Sequence, residues 1–342
     1  MLRVSKLSKL KLSLASPAYD RNSALLSGEV QPEGIELTYL TIAPQEAHSR
    51  MLKNQEFDVS DMSLSFYMIA KLTGKAPFTA IPVFPMRKFF HTDLVVNRES
   101  GIKKPSDMKG KKIGVPEYAM TLALWLRGIF LHEFGISPSE MEWFIERTPG
   151  NRVSDSIGFS PPSNISFHQI PAESDLMTML ESGEIDAAFP QFKFWKTFRD
   201  RSKMGDIRES GKVVRLFPNQ KEESIRYFKK TGFFPINHTV VVRNEILQKH
   251  PWVAVNLFEA YQMSKEKSYQ EMEARMREPT NYIWLDDLRR EVREIFGEDP
   301  YPYGIRKNEQ IIDAVTNYSY EQGLSPRKAT PEDLFFPTTL GL

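Results

Sequence analysis

Two histidines of the chain lie in settings suited to moving a proton. His91 stands in RKFFHTDLVV and His238 in FFPINHTVVV, each close to a pair of phenylalanines. An imidazole titrates near neutral pH, so either side chain is a candidate general acid or base. Both lie where we expect the chain to pass between the two halves of the molecule. A structural role beside the aromatic rings is the alternative.

Anion-binding candidates accompany these histidines in the first part of the chain. Arg21 in AYDRNS has the planar fork that holds a carboxylate, and Asp20 could orient it or take a proton; a charge pair at a helix start is the alternative. Arg87 is a second possible clamp or a solvated charge at a strand end. Ser63 and Ser65 in DMSLSFY stand where a helix amino terminus would meet an anion, although ordinary serine caps look the same in sequence.

A strand–loop–helix unit supplies the remaining candidates. PSDMKGKKIGVPEY predicts a capped turn ending at Gly110, a short buried strand and a loop after Pro116. The loop carries Glu117, a candidate proton carrier, and Tyr118, which could stack on a ligand or form a hydrogen bond to it. Thr121 begins the predicted helix, which carries Arg127 either to the cleft or to the helix surface. Ligands of open α/β sheets bind in such loops.

The elements that must position these side chains alternate between strand and helix. KLSLAS, IELTYLTI and EIDAAFPQ read as strands, and EAHSRMLKNQ and SDLMTMLESG as helices, the last with a serine cap and a glycine stop. The pattern predicts an α/β protein with a largely parallel first sheet and two lobes around a ligand cleft. We expect residues 1–98 and 238–342 to form the first lobe and residues 99–237 the second, with crossings near 92–98 and 236–243.

Composition narrows the classes of function. A net charge of +1 gives no reason to expect nucleic acid or an acidic membrane as partner. The absence of cysteine excludes disulfides, thiolate metal sites and cysteine nucleophiles. Lysine and serine interrupt the amino-terminal apolar residues, and no apolar run approaches the roughly 18 residues of a membrane span. We therefore expect a cytoplasmic protein, unless processing removed a leader.

Motifs spread along most of the chain resemble one enzyme group. DMKGKKIGVPEY and LMTMLESGEIDAAF are similar to the second lobe of type II periplasmic-binding-protein folds. AYDRNSALLSG, QEFDVSDMSLSFY, AIPVFPMRKFFHTDLVV, GVPEYAMTLALWLRG, TGFFPINHTVVVR, HPWVA and EDPYPYG, in this order, resemble the 4,5-dihydroxyphthalate decarboxylase group. Residues 147–169 fit the group less well, so the resemblance does not assign the residues of the far wall of the cleft.

The resemblance implies an α/β, two-lobe type II periplasmic-binding-protein-like fold and decarboxylation of a hydroxylated aromatic acid without a cofactor. Its small aromatic carboxylate would be the partner, and a homo-oligomer is possible. The catalytic candidates are His91, His238, Glu117 and Asp20; the substrate-binding candidates are Arg21, Ser63, Ser65, Arg87, Tyr118, Thr121 and Arg127. His91 and His238 with Asp20 or Glu117 could in principle hold a metal, but their spacing offers no local ligand pair, and we expect none. The alternative function is a solute-binding protein of an ABC importer for a small organic anion, since one scaffold hosts both roles.

Overall fold

A computed structural model of the chain describes residues 8–189, 201–202, 210–276 and 281–342. The strands are β1 (Leu10–Ser16), β2 (Ile35–Thr41), β3 (Val59–Ser63), β4 (Phe78–Ile81), β5 (Val95–Asn97), β6 (Lys112–Val115), β7 (Glu142–Ile145), β8 (Ser166–Gln169), β9 (Ala187–Ala188), β10 (Val213–Arg215) and β11 (His238–Arg243). The helices are α1 (Ser23–Leu26), α2 (Pro44–Asn54), α3 (Leu64–Leu72), α4 (Thr121–Phe134), α5 (Leu176–Ser182), α6 (Gln220–Thr231), α7 (Asn244–Lys249), α8 (Trp252–Met276), α9 (Leu285–Phe296), α10 (Glu309–Glu321) and α11 (Pro331–Leu334). The end of the predicted strand EIDAAFPQ, at Pro190 and Gln191, lies outside the described residues, as do residues 1–7.

The first sheet has the order β2-β1-β3-β11-β4. β1 runs parallel to β2 and β3, whereas β11 runs antiparallel to β3 and β4. The sheet is therefore mixed, which corrects the largely parallel sheet predicted from the alternation of elements. β3 is buried along its whole length and β11 up to its last residue, since the valines of HTVVVR fill both faces at the sheet centre.

The second sheet has the order β10-β5-β9-β6-β7-β8. β6, β7, β8 and β9 form parallel pairs, while β5 pairs antiparallel with β9 and β10. Gly114 in β6 allows α5 to pack closely, because a Cβ there would come within 2.3 Å of Leu176. The cap of α5 is Asp175, whose carboxylate accepts from the N–H groups of Met177 and Thr178, and not the serine predicted from the sequence.

The chain passes between the sheets along two segments, residues 82–94 and 216–237. These crossing segments lie side by side: Arg87 and Ile236 form an antiparallel bridge, and the N–H of Lys88 donates to the Pro235 carbonyl at 3.1 Å. The lobe boundaries predicted from the sequence remain a prediction. Both crossing segments supply residues to the cavity described below.

Candidate functional site

A cavity of about 340 Å³ opens where β2, β3 and β6 end and the crossing segments pass. We name it the histidine cavity. It is lined by Pro44, Gln45, His48, Ser63, Phe66, Met86, Lys88, Phe90, Asp93, Met120, Thr121, Leu122, Arg147, Phe189, Asn237 and His238.

Helix amino termini face the histidine cavity from several sides. α2 begins at its wall with Pro44, α3 follows Ser63, and α4 begins with Thr121. The first N–H groups of a helix have no partner inside the helix, and its dipole places partial positive charge there. This arrangement favours an anionic ligand. The Oγ atoms of Ser63 and Thr121 lie 2.8 Å apart and join two of these termini.

A buried carboxylate connects two histidines of the cavity wall. Oδ1 of Asp61 lies 2.8 Å from Nδ1 of His238 and 3.1 Å from Nε2 of His48. Both contacts follow from the first sheet, because Asp61 belongs to β3, His238 opens the neighbouring strand β11, and α2 packs on β3. The two rings stand edge to face with centroids 4.8 Å apart.

The surroundings of Asp61 fix the charge of this cluster. Burial would raise its pKa, but the attraction of His238 and the hydrogen bonds from both imidazoles outweigh it and lower the pKa to about 2. Burial lowers the pKa of His48 to about 4 despite the bond to Asp61. At neutral pH Asp61 is therefore a carboxylate and His48 is neutral.

Hydrogen-bond geometry also indicates the tautomers. Asp61 as a carboxylate can only accept, so Nδ1 of His238 and Nε2 of His48 donate to it. The Tyr19 hydroxyl lies 3.4 Å from Oδ2 of Asp61 and 3.2 Å from Nδ1 of His238. Burial and Asp61 hold the pKa of Tyr19 well above its usual value, so the hydroxyl keeps its proton. Nε2 of His238 then remains as the second nitrogen of a ring that lines the cavity.

The same three residues are also the metal-ligand candidate of the described chain. The donor atoms of His48, Asp61 and His238 all lie within 4.8 Å of one another. This set differs from the one considered from the sequence, which joined His91 to His238. The nitrogen of each imidazole that faces Asp61 already donates a hydrogen bond to it, so a metal ion bound there would have to replace these two hydrogen bonds.

Arg147 supplies a buried cation to the cavity wall. Its NH1 donates to Oε1 of Glu117 at 2.7 Å. The Glu117 carboxylate also accepts from the N–H groups of Val153 and Ser154, at 2.9 and 3.0 Å. Glu117 is therefore committed to holding Arg147 and the chain after it. Arginine is the residue that binds carboxylates through a bidentate fork.

Aromatic rings and a charged group complete the wall. Phe66, Phe90 and Phe189 line the cavity, and the last two have ring centroids 6.2 Å apart. Lys88 forms an ion pair with Asp93. Asp93 also accepts from Nε2 of Gln220 at 2.7 Å. The cavity thus combines flat apolar surfaces with polar groups, as ligand sites generally do.

The structure brings His238, Ser63 and Thr121 together in this cavity among the residues predicted from the sequence. Ser65 lies directly behind them, where its N–H donates to Oγ1 of Thr121 at 3.0 Å and its hydroxyl to the Ala119 carbonyl at 2.7 Å. Its contacts bind α3 to the start of α4.

Other predicted residues lie elsewhere. His91 is buried beside the aromatic rings of Phe217 and Tyr227, and its Nε2 lies 3.2 Å from Oε1 of Glu223. Asp20 accepts from the backbone and side chain of its neighbour Arg21, and is exposed. Neither His91 nor Asp20 is among the described residues that line the histidine cavity.

The predicted arginines also lie outside this wall. Arg21 donates to the Pro85 carbonyl and stacks over the Tyr301 ring at 3.7 Å. Arg127 is buried over the Tyr118 ring at 3.5 Å, and burial lowers its pKa to about 10. Arg87 lines a different cavity.

His48, Asp61 and Arg147 were not among the sequence candidates. In the sequence His48 resembles a structural residue of an amphipathic helix. Arg147 is the first residue of segment 147–169, which resembles the family least. Asp61 had a usable signal: a carboxylate in the middle of the strand pattern VSDMS must find buried partners.

Comparison with known proteins identifies the family. Over 334 residues the chain is 30% identical to the 4,5-dihydroxyphthalate decarboxylase of Comamonas testosteroni, with 98% of both chains covered. The chain belongs to the 4,5-dihydroxyphthalate decarboxylase family. A protein of the same name from Pseudomonas putida is 34% identical over 181 residues, which are 53% of this chain and 70% of that one.

The scaffold is shared with transport proteins. Residues 17–251 match the family described as ABC transporter, phosphonate, periplasmic substrate-binding protein. The solved structure of a putative sulfonate ABC transporter protein, the periplasmic sulfonate-binding protein SsuA of Methylobacillus flagellatus KT, has a TM-score of 0.54 at 16% identity and covers 98% of this chain and 93% of its own. The predicted type II periplasmic-binding-protein fold is confirmed, and this second likeness concerns the fold alone. Within the described ranges, every helix is too short or too polar to cross a bilayer.

Proposed function

We propose that the histidine cavity decarboxylates a hydroxylated aromatic carboxylic acid such as 4,5-dihydroxyphthalate, with His238 as the proton donor. The observation that carries the proposal is the bond from Nδ1 of His238 to the buried Asp61 carboxylate. A carboxylate in this position stabilises the imidazolium and leaves Nε2 to transfer the proton. The relatives' name supplies the substrate class, and the cavity supplies suitable chemistry.

Binding of the substrate would use the buried cation and the aromatic rings of the cavity wall. The fork of Arg147 would hold a carboxylate, assisted by the amino terminus of α4. Phe66, Phe90 and Phe189 would provide apolar contacts to the ring. Glu117 would act as a positioning residue, since its bonds fix the guanidinium in place.

The reaction itself needs one proton at carbon. A hydroxyl para to the departing carboxylate pushes its electrons towards the carbon that carries it, while its own proton passes to a base. Neutral His48, whose second nitrogen accepts, is suited to that base. Nε2 of His238 protonates the ring carbon, the bond to the carboxylate breaks, and carbon dioxide leaves as its electrons restore aromaticity. The proton held by His48 returns to the phenolate that forms as aromaticity is restored, and the proton added to carbon is replaced on His238 from water. The reaction therefore takes up one proton overall and needs no electron donor or acceptor, so we expect no cofactor to be required.

The test replaces His238 by asparagine. The amide of His238→Asn can still donate to Asp61 but has no proton to give to carbon. Turnover of 4,5-dihydroxyphthalate to carbon dioxide and 3,4-dihydroxybenzoate should fall about 10²–10⁴-fold, while calorimetry finds substrate still bound. His91→Asn is the matched control, because His91 lies outside the described wall of the cavity, and it should keep its turnover.

Several results would contradict this proposal. Full turnover of His238→Asn would remove the proton donor, and loss of turnover in His91→Asn alone would return that role to His91. Turnover abolished by EDTA and restored by a divalent cation would show that the reaction needs a metal ion, for which His48, Asp61 and His238 are the candidate ligands among the described residues. Binding of aromatic acids without any turnover in the parent would favour the alternative, a solute-binding protein. Cell fractionation separates the two classes further, since we expect the enzyme in the cytoplasm and an importer's receptor outside it.

A further inference from the structure

A second cavity, of about 360 Å³, lies against the other side of the crossing segments. We name it the arginine cavity. It is lined by Arg87, Phe228, Gly232, Phe233, Phe234, Phe296, Asp299, Pro300, Pro302, Arg306, Lys307, Asn308, Glu309, Gln310 and Ile311. Among the described residues it has no wall residue in common with the histidine cavity.

Arg87 is the buried cation of this cavity. Its NH1 donates to the Phe234 carbonyl at 3.1 Å, and its NH2 to the Pro302 carbonyl and to Oδ1 of Asn308. All these acceptors are neutral, and its buried Nε has no partner in the described part of the chain. Burial lowers the pKa of Arg87 to about 10, although the attraction of Tyr303 and Asp299 acts in the opposite direction, so the charge is only partly stabilised. A buried cation with neutral partners is costly, so an anion beside it would be favourable.

The rest of the wall adds aromatic surface and positive charge. Phe228 and Phe234 stand with ring centroids 4.5 and 5.6 Å from that of Phe296. Arg306 and Lys307 are exposed at the rim. Aromatic rings and cations together fit a flat anion.

The acidic residues of the wall do not cancel this preference. Asp299 is already engaged: its carboxylate accepts from Nζ of Lys265 at 2.7 Å and from the Tyr269 hydroxyl at 3.0 Å. Glu309 is exposed at the start of α10. Arg87, Arg306 and Lys307 thus face one exposed carboxylate and one that is already paired.

The arginine cavity and the histidine cavity share one crossing segment, through which a ligand in the former can act on the latter. Met86 and Lys88, the neighbours of Arg87 in sequence, both line the histidine cavity. Side chains alternate along an extended segment, so Arg87 points to one side of the crossing and its neighbours to the other. A ligand held by Arg87 therefore contacts the same segment that shapes the histidine cavity.

We propose that the arginine cavity is an effector site for a small aromatic carboxylate, bound by the Arg87 guanidinium and packed against the phenylalanine rings of the wall. The effector site is independent of the histidine cavity in its location. Its effect on turnover rests on the proposed decarboxylase function.

The first experiment locates the ligand without using activity. Crystals of the full chain are grown with 4-bromobenzoate, and the anomalous signal of bromine gives its position. We expect bromine in the arginine cavity with the carboxylate towards Arg87. In the rim variant Lys307→Glu the side chain is exposed, so the change leaves the packing of the fold intact. It should weaken binding of 4-bromobenzoate, measured by calorimetry, about fivefold, a loss of roughly 1 kcal/mol. Lys249→Glu, at the exposed end of α7 and outside both walls, is the charge-matched control and should bind as the parent does.

The second experiment measures turnover with 4-bromobenzoate present. A ligand that only competes for the histidine cavity raises KM and leaves kcat unchanged, whereas an effector at the arginine cavity also changes kcat. Bromine found solely in the histidine cavity, equal binding by Lys307→Glu and Lys249→Glu, or purely competitive inhibition would each overturn the effector site. If the parent shows no decarboxylation, the proposed function fails, while the position of bromine still decides whether this cavity binds the ligand.

Discussion

The single carboxylate of Asp61 organises the cluster by serving two imidazoles with one oxygen. Each bond needs the partner to donate, so both nitrogens that face Asp61 carry protons and both rings present their other nitrogen away from it. The two histidines differ in position: His48 is on a helix packed over β3, and His238 is in the sheet beside it. One carboxylate can therefore support an acid and a base with distinct roles in one cavity.

The depressed pKa of His48 predicts a loss of stability in acid. Its pKa is about 4 in the folded protein against about 6.5 in an unfolded chain. Below pH 6.5 the unfolded state takes up a proton that the folded state refuses, so the free energy of unfolding falls until about pH 4. Two and a half pKa units correspond to about 3 kcal/mol at most.

The measurement compares the free energy of unfolding at pH 7 and pH 4 by urea denaturation. His48→Gln keeps an amide N–H for Asp61 but cannot take up the proton, so its stability should fall less between the two pH values. Using the difference within each variant removes any change in packing. His250→Gln, at the end of α7, is the control and should behave as the parent does. An unchanged pH dependence in His48→Gln would show that His48 does not carry the effect.

Residue types and local patterns predicted part of the site and missed the rest for a physical reason. His238, Ser63 and Thr121 follow strand ends or helix starts, which local pattern locates well. Asp61 and His48 meet because α2 packs on β3, and Arg147 is held at the wall by contacts that include its bond to Glu117. Such long-range contacts leave no regular spacing in the sequence. His91 shows the opposite error. Its surroundings in the sequence resemble those of His238, but in the structure its Nε2 lies beside Glu223 and not in the described wall of the histidine cavity.

At the scale of elements, most boundaries could be predicted, whereas strand direction could not. α4 ends at Phe134 with Gly135 in a left-handed conformation, φ 67°, as the glycine after LHEF indicates. The valines of β11 predict a buried strand, but burial is the same for either direction. The antiparallel direction of β11 is set by the path of the chain as it returns to the first sheet, and the local periodicity of the sequence carries no information about that path.

Gly128 makes a testable contact between α4 and α10. A Cβ at Gly128 would lie 2.1 Å from the Tyr318 ring, which also packs at 5.6 Å from Trp125. Alanine favours a helix by up to about 1 kcal/mol over glycine, but forcing an atom into a packed contact costs about 1–3 kcal/mol. Gly128→Ala should therefore lower the free energy of unfolding.

The matched background for this prediction is Tyr318→Ala, which removes the ring. There Gly128→Ala should stabilise by up to about 1 kcal/mol, because only the helix preference remains. Denaturant unfolding of the parent, the two single variants and the double variant gives the coupling free energy between residues 128 and 318. A stabilising Gly128→Ala in the parent would mean that the ring moves aside without cost.

At the scale of the whole molecule, buried hydrogen bonds tie α4 to a crossing segment, to the residue after α10 and to the end of β3. Nε1 of Trp125 in α4 donates to the Ile236 carbonyl at 2.8 Å, and Nε of Arg127 donates to Oε1 of Gln322 at 2.7 Å. Ser63 and Thr121 connect the end of β3 to the start of α4. Opening the cleft by rotation would break such bonds, and each polar group left buried without a partner costs about 1–3 kcal/mol. The scaffold is that of the periplasmic binding proteins, but in this chain α4 is tied to both sides.

These ties predict that ligand binding leaves the separation of the two sheets nearly unchanged. The chain has no cysteine, so Thr38→Cys and Ser166→Cys, on the exposed faces of β2 and β8, place two spin labels without competing sites. The measurement uses a His238→Asn background, which should bind 4,5-dihydroxyphthalate without consuming it. Double electron–electron resonance should then give the same mean distance between the two spin labels with and without ligand. Gln322→Leu, which removes the acceptor of Arg127, should broaden the distance distribution of the free protein. A shift of several ångströms on binding in the His238→Asn background, with Gln322 intact, would indicate closure by a hinge, the behaviour of a transport receptor. A constant distance would instead fit a preformed cavity, where catalysis depends on groups already held in place by the fold.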